Sequence, residues 1–341
     1  MTRTSNYFAL SDKDKTDALE AAASNLGRPA DLLEKDIWVV WGLNVLFESE
    51  LGDHLAFKGG TSLSKVYKAI DRFSEDVDVT YDIRQIIPDL IPDPANPYPP
   101  SRSQAKKWTE TVRERLSAWI EADVVPLLAA RIESEELSAT LRQENDQLYL
   151  DYEAVRGGSG YVRPSVLLEF GARSTGEPAE RHDVTCDLAE GVEGLILPTA
   201  RPRVMSAERT FWEKATAIHA YCLRGEFRGG DRYARHWYDL DCLDQIGVAQ
   251  KAIEDRMLAA TVAEHKQHFF RENDKTGTVI DYADAVSGSL CLVPSGEPLE
   301  ALDQDYQRMI DAGLLRTDAI GFGELMARLG DLQSRANARI S

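Results

Sequence analysis

The stretch GGTSLSKVYKAIDRFSEDVD, from Gly59 to Asp78, decides the interpretation of this chain. It follows a short apolar run, HLAFK, and it leads into the strand-like segment DVDVTYD. This order predicts a strand, a glycine turn, a helix beginning near Thr61 and a second strand. Because side chains two apart in a strand share a face, Asp76 and Asp78 are expected to present their carboxylates side by side.

These residue types are those of a phosphate and metal site. Two adjacent carboxylates repel each other unless a cation lies between them, and Mg²⁺ takes one or two carboxylates together with substrate phosphates. Glycines let a phosphate approach the backbone, and a helix N-terminus offers free N–H groups. The predicted phosphate ligands here are Gly59, Gly60, Thr61 and Ser62. On spacing alone, a tight turn beside a solvated acidic strand explains the segment equally well.

Composition and charge limit the class of protein. The 341 residues allow one large domain or two ordinary ones. No apolar run is long enough to cross a bilayer, and the N-terminal residues carry no signal-peptide pattern. The four cysteines lie in no metal-ligand spacing, so we expect reduced thiols in a cytoplasmic protein with no membrane partner. A net charge of −18 argues against coating nucleic acid with the whole surface.

The segment from Arg201 to Asp239 is nevertheless basic, with eight Lys and Arg residues against five Asp and Glu. Such a patch would steer a polyanion to one place. The glycine-rich loop between Arg224 and Arg235 is a candidate contact for an RNA backbone. Scattered arginines on a solvated surface explain the same composition.

The remaining patterns predict an α+β fold. Residues 1–200 are expected to form a mixed sheet flanked by helices, and residues 201–341 a mainly helical C-terminal domain. Six prolines make residues 84–104 a loop, and a long helical pattern after it breaks at Pro126. Further strands are expected at QLYLDYEAV, VRPSVLLEFGA, HDVTCDL and GLILPT.

Three helices have distinct sequence signals. Ser11 is a predicted N-cap for a helix over residues 11–25. Asp31 and Glu34 have the spacing of a capping box at a second helix. A later helix, from Ser206 to Leu223, places Lys214 on its apolar stripe. A lysine there must either snorkel to water or meet an anion, such as a bound triphosphate.

The stretch FKGGTSLSKVYKAIDRFSEDVDV resembles the motif of the AbiEii/AbiGii-type nucleotidyltransferase toxins, a branch of the DNA polymerase β-like superfamily. That family reads approximately GGT, a short helix and RFSEDLD, which residues Phe73 to Asp76 and Asp78 match. The segments EKDIWVVWGL, SAERTFWEKATAIH and RHWYDLDCL are similar to further family segments in the same order, from about residue 30 to residue 245. The resemblance implies a polymerase β-like nucleotidyltransferase core.

The resemblance also implies roles for single residues. It places a catalytic lysine on the helix that carries Lys214, which we therefore expect to bind the triphosphate. A third metal-binding carboxylate is usual on a strand beside the Asp pair. Glu169, in the apolar strand SVLLEFGA, is the candidate, and Asp151 and Glu153 compete with it.

Two further site residues are less clearly defined. Asp239 matches the second Asp of an RDxxDL-like motif of the family, but the first Asp position holds His236. Asp239 is therefore either catalytic or the ion-pair partner of Lys214 or Arg235. Arg173, which follows the strand SVLLEFGA, is a candidate phosphate ligand or a plain surface arginine.

The implied reaction is transfer of a nucleoside monophosphate from a nucleoside triphosphate to RNA, with the tRNA 3′ end as acceptor. The resemblance implies a cognate antitoxin and a toxin–antitoxin or abortive-infection role in phage defence. Mg²⁺, or Mn²⁺, held by Asp76, Asp78 and Glu169 is the expected cofactor. Two alternatives stay open: nucleotide transfer to a protein side chain, as by AMPylator-like enzymes, and a non-catalytic nucleotide-binding partner protein.

Overall fold

The computed structural model describes residues 5–72, 76–155, 163–226, 232–315 and 319–338. Its contacts divide the chain into two compact units. Unit 1 comprises Met1–Val66, Glu75–Pro92 and Glu110–Val204. Unit 2 comprises Tyr67–Ser74, Asp93–Thr109 and Met205–Ser341. The segment 84–104 is thus divided between the two units. The prediction of a loop is wrong at its ends, because residues 84–86 belong to the helix Ile83–Ile86 and residues 102–104 to the helix Arg102–Trp119.

The strands of the described residues include a seven-stranded mixed sheet in unit 1, in the order β4-β5-β6-β3-β2-β11-β7. Their bounds are β1 Ser5–Asn6, β2 Leu55–Lys58, β3 Asp76–Tyr81, β4 Ala139–Glu144, β5 Gln147–Tyr152, β6 Ser165–Gly171, β7 Ala179–Arg181, β8 Val184–Thr185, β9 Leu195–Ile196, β10 Thr199–Ala200 and β11 Arg203–Met205. β3 lies between β2, its antiparallel neighbour, and β6, its parallel neighbour.

The helices are most frequent in the C-terminal part of the chain. Their bounds are α1 Asp12–Leu26, α2 Ala30–Phe47, α3 Gly59–Lys65, α4 Ile83–Ile86, α5 Arg102–Trp119, α6 Val125–Ser134, α7 Leu188–Gly191, α8 Ala207–Arg224, α9 Arg235–Gln245, α10 Val248–Glu254, α11 Arg256–Phe269, α12 Tyr282–Val286, α13 Glu297–Asp311 and α14 Phe322–Ala338. The predicted α+β class, with a mainly helical C-terminal part, is confirmed. In the described ranges, no helix combines the length and hydrophobicity of a membrane span.

Of the two predicted N-terminal helix caps, one is confirmed and one is wrong. The Ser11 hydroxyl accepts the Asp14 N–H and caps α1, as predicted. The predicted capping box at α2 is wrong, because the helix begins at Ala30 and has no side-chain cap. Its Glu34 is instead buried and accepts the Val155 N–H at 2.9 Å. A carboxylate placed at the spacing of a cap therefore holds a distant part of the chain.

The long helical segment after the proline-rich loop is irregular where the sequence predicts, but it does not end there. A π-helical segment, Ile120–Val124, separates α5 from α6, and Pro126 is the second residue of α6. A proline inside a helix cannot donate the usual backbone hydrogen bond. The helix continues past the proline through this π-helical turn, the kind of local irregularity at which helices bend.

A buried ion cluster anchors the end of α3 in unit 1. The Lys65 ammonium lies 2.6 Å from Asp36 on α2 and 2.7 Å from Asp187. The Asp187 N–H also donates to the Asp36 carboxylate at 2.6 Å. Lys65 is only 7% exposed, so its charge has to be matched inside the protein. The short helix is therefore fixed against α2 by electrostatics as well as by packing.

We predict that Lys65→Met lowers the free energy of unfolding by about 3 kcal/mol, because two buried carboxylates lose the cation between them. Urea unfolding followed by circular dichroism measures the change. The matched control is Arg28→Met, which also removes a cation from Asp187. Since Arg28 is 48% exposed, its loss is expected to change stability by less than about 1 kcal/mol. Equal effects of the two substitutions would contradict the assignment of Lys65 as the anchor.

Candidate functional site

The glycine turn after β2 is pressed against the carboxylate of Asp78. Gly59 has a φ of 77°, and a Cβ added to it would lie 1.9 Å from Asp78 Oδ2. Both the backbone conformation and the space therefore require glycine at this position. The helix α3 begins at Gly59 itself, two residues earlier than the sequence predicts. The glycine turn and the strand β3 are therefore in direct contact, and we call this contact between Gly59 and Asp78 the joint.

The hydroxyls of Thr61 and Ser62 strengthen that joint. Thr61 Oγ1 donates to the Asp76 carbonyl oxygen at 2.5 Å, and Ser62 Oγ donates to the Gly59 carbonyl oxygen at 2.9 Å. Both side chains are buried. The structure thus gives each hydroxyl a partner in the backbone of the motif, and their predicted contact with phosphate stays a prediction.

Glu169 lies directly beside the Asp pair. Asp78 on β3 is in register with Glu169 on β6 and with Lys58 on β2. Residues opposite each other on neighbouring strands point to the same face. That face is at least partly open, whereas the alternate residues Val77 and Val79 are fully buried. The three predicted metal-binding carboxylates therefore share one open face of the sheet.

The register also separates Glu169 from its competitors. Asp151 is on β5, with β6 between it and β3, and it accepts a hydrogen bond from Ser165 Oγ at 2.5 Å. Glu153 lies beyond the end of β5. Glu169 is thus the carboxylate of the three that adjoins the Asp pair.

The acidic face is under electrostatic strain. Desolvation, followed by repulsion from Asp78 and Asp76, raises the pKa of Glu169, while Lys58 acts in the opposite direction. Among the described residues, no group of three or more His, Cys, Asp or Glu side chains is arranged to hold a metal ion. Asp76, Asp78 and Glu169 form an open row, and their binding of a metal ion stays a prediction.

Arg173 follows β6 and is half-buried. Burial, with the neighbouring charge of Arg113, lowers the pKa of its guanidinium, and Asp146 opposes that effect. Charges of both signs therefore act on this guanidinium. Its predicted contact with phosphate stays a prediction.

Unit 2 contains a second charged cluster, centred on Asp239. Arg72 binds both carboxylate oxygens, at 2.6 Å through Nε and 2.8 Å through Nη2, and Lys214 Nζ lies 2.9 Å from Oδ2. Burial alone would raise the pKa of Asp239, but the charges and hydrogen bonds of Arg72 and Lys214 hold it well below its usual range. The carboxylate stays ionised although it is fully buried.

His236 completes this cluster as a neutral side chain. Its Nδ1 lies 3.5 Å from Lys214 Nζ. Burial, with the charges of Lys214 and Arg235, lowers its pKa well below the usual value. A carboxylate at residue 236 would compete with Asp239 for Arg72 and Lys214. A neutral imidazole does not compete, so both ion pairs of Asp239 are compatible with His236.

Three of the eight cations in the locally basic segment lie inside the protein. Arg209, Lys214 and Arg224 are buried, and each forms an ion pair with a carboxylate. Residues 227–231 of the glycine-rich loop lie outside the described residues. The sequence count of cations therefore overstates the charge that this segment offers to a polyanion.

Comparison with known proteins identifies the family of this chain. The family model described as "Nucleotidyl transferase AbiEii toxin, Type IV TA system" matches residues 43–328. This protein belongs to the AbiEii nucleotidyltransferase toxin family. AbiEii toxins act in type IV toxin–antitoxin systems, which implies a cognate antitoxin. No functionally curated protein gave a match.

Two solved structures are similar to this AbiEii protein over nearly its whole length. JHP933 from Helicobacter pylori is 17% identical, covers 91% of this chain and 93% of its own, and has a TM-score of 0.44. The nucleotidyltransferase toxin MenT4 from Mycobacterium tuberculosis is 17% identical, covers 97% of this chain and 99% of its own, and has a TM-score of 0.39.

Two cations of the AbiEii protein were not identified as site residues from its sequence. Lys58 directly precedes the glycine turn, and Arg72 directly precedes the FSED segment, of which residues 73–75 lie outside the described residues. Their positions next to the glycine turn and to the FSED segment were the available signal. The partner of Arg72, Asp239, is 167 residues away, and no local pattern connects the two.

We predict that Glu169→Gln stabilises the protein at neutral pH when a chelator is present. Because the folded-state pKa of Glu169 is raised, its stabilising contribution is complete at low pH and is lost as the pH rises through that pKa. The variant should therefore exceed the wild type in urea resistance at pH 7, and the difference should vanish below about pH 4. Glu180→Gln, on the distant edge strand β7, is the control. If Glu169→Gln is less stable than the wild type at pH 7, repulsion between Glu169 and the two aspartates does not destabilise the folded protein, and the prediction is wrong.

We also predict that Asp239→Asn lowers the free energy of unfolding by about 3 kcal/mol, since it leaves two buried cations without their anion. Asp241→Asn is the matched control on the same helix. Burial raises the pKa of Asp241 in spite of Arg328, and Arg328 is 35% exposed, so we expect less than about 1 kcal/mol. Thermal and urea unfolding of both variants measure the difference in stability. Equal losses of unfolding free energy in the two variants would contradict the prediction.

Proposed function

We propose that this AbiEii toxin transfers a nucleoside monophosphate from a nucleoside triphosphate to RNA, with the 3′ end of tRNA as acceptor. Covalent change at that end would block translation, which accounts for toxicity. The observation that carries the proposal is the joint between the glycine turn and β3, with Asp76, Asp78 and Glu169 on one open face beside it.

The donor set of that face fits Mg²⁺, and Mn²⁺ by the same chemistry. All three groups are carboxylates, the ligand type that hard divalent cations prefer. Repulsion from Asp78 and Asp76 contributes to the raised pKa of Glu169, and a cation among the three would relieve it. Mg²⁺ bound there would withdraw charge from the α-phosphate and acidify the acceptor hydroxyl.

The residues of the chain position the reactants. In this proposal the backbone of Gly59 and Gly60 binds the β- and γ-phosphates, because glycines let a phosphate approach the backbone closely. An oxygen of the acceptor hydroxyl forms a bond to the α-phosphorus. The bond from the α-phosphorus to the bridging oxygen breaks, pyrophosphate leaves, and the hydroxyl proton passes to solvent. Catalysis of this kind depends on positioning and electrostatic stabilisation.

The test is transfer of label from α-³²P nucleoside triphosphates to total tRNA by the purified protein with Mg²⁺. We expect labelled RNA, and a loss of about 100-fold or more in Asp76→Ala and in Asp78→Ala, because each removes a group that stabilises the reacting charges. Asp53→Ala is the matched control, since that aspartate is 77% exposed on the same unit. Intact-mass analysis of the tRNA then identifies the nucleotide from one mass shift.

Three outcomes separate the alternatives. Label in protein but not in RNA would show that the acceptor is a protein. Tight binding of the triphosphate with no transfer to either acceptor would indicate a non-catalytic nucleotide-binding protein. Labelling of RNA that survives Asp76→Ala and Asp78→Ala in one chain would overturn the mechanism.

A further inference from the structure

The open face of the sheet continues beyond Glu169 across two more strands. Asp76 on β3 is in register with Leu167 on β6, Leu167 with Tyr149 on β5, and Tyr149 with Arg142 on β4. Opposed residues of neighbouring strands point to one face, so these four side chains form a single row. The row connects the acidic site to an aromatic ring and a guanidinium.

Arg142 and Tyr149 are held in a stacked arrangement. The guanidinium carbon of Arg142 lies 4.1 Å from the centroid of the Tyr149 ring. Arg142 also forms an ion pair with Glu144 and lies 3.4 Å from Asp151, and the Tyr149 hydroxyl donates to Gln147 at 3.1 Å. The Arg142 side chain is nevertheless 49% exposed. We call these two residues the Arg142–Tyr149 platform.

The charge of the platform selects its ligand. Glu144 and Asp151 neutralise the guanidinium and would repel a phosphate, so the platform is not suited to the RNA backbone. A flat guanidinium on an aromatic ring is instead a surface on which an unpaired base stacks. The chemistry that fits is a nucleobase.

The position of the platform indicates whether this nucleobase belongs to the RNA acceptor or to the triphosphate. In-line transfer places the attacking and leaving oxygens on opposite sides of the α-phosphorus. The glycine turn follows β2, on one side of β3, whereas β6 and β5 lie on the other side. If pyrophosphate leaves towards the turn, the acceptor approaches from the side of β5. Two strand spacings separate β3 from β5, about 10 Å, which is comparable with the reach of one nucleoside from its 3′ hydroxyl to its base.

We propose that the Arg142–Tyr149 platform binds the terminal nucleoside of the RNA acceptor by stacking on its base. This inference rests on the proposed nucleotidyl transfer to RNA. It assigns β4 and β5 to acceptor recognition, while β2 and the glycine turn receive the triphosphate.

The experiment compares Tyr149→Ala, Tyr149→Phe and the wild type in steady-state transfer to total tRNA, with RNA and triphosphate varied separately. Loss of one base–aromatic stack should raise KM for RNA roughly 5- to 100-fold. The kcat and the KM for the triphosphate should change little. Tyr149→Phe keeps the ring and should remain near the wild type. Thr140→Ala, an exposed residue of β4 on the same face, is the matched control.

The outcomes are distinguishable. A KM for RNA in Tyr149→Ala equal to that of the wild type would overturn this inference and leave the proposed function intact. A rise confined to the KM for the triphosphate would also overturn it, because the platform would then hold the donor base. No transfer by the wild type to any RNA would overturn the proposed function and this inference with it. Circular dichroism of each variant separates these effects from unfolding.

Discussion

The carboxylate of Asp78 occupies the space that a side chain at residue 59 would need. This close approach joins the end of β2 to the middle of β3, and the Thr61 hydroxyl closes the joint by donating to the Asp76 carbonyl oxygen. The glycine turn and the acidic strand, to which the proposed function assigns the phosphates and the cation, are thus fixed to each other by contacts within the protein. Such preorganisation is what phosphoryl transfer requires of a protein, because its catalysis is mainly positioning.

Features that depend on neighbouring residues could be predicted from the sequence. The alternation in β3, the N-cap Ser11 and the irregular helical turn beside Pro126 all follow from spacing within one element. Contacts between distant residues could not. The choice of Glu169 over Asp151 depends on the register between β3 and β6, which hydrophobic periodicity does not encode.

Lys214 illustrates how far a pattern within one helix reaches. A lysine on an apolar stripe does meet an anion, and the sequence left two anions open, a bound triphosphate and Asp239. The structure places Asp239 2.9 Å away, and binding of a triphosphate by Lys214 stays a prediction. Asp239 and Asp241, both on α9, show the same dependence on contacts with distant residues. Residues two apart on a helix point about 200° apart, so Asp239 faces two buried cations while Asp241 faces a partly exposed one.

The burial of those cations also bears on the proposed recognition of RNA by an acidic protein. Arg209, Lys214 and Arg224 are matched by carboxylates inside the protein, so they do not offset the net charge of −18 at the surface. Attraction through many phosphate contacts releases counterions and is strongly salt-dependent. Recognition through a bound cation and a stacked base needs few such contacts, because the cation reverses the local charge and a base carries none. A protein built in this way would select an exposed terminal nucleoside, since a base in a duplex cannot reach a stacking surface.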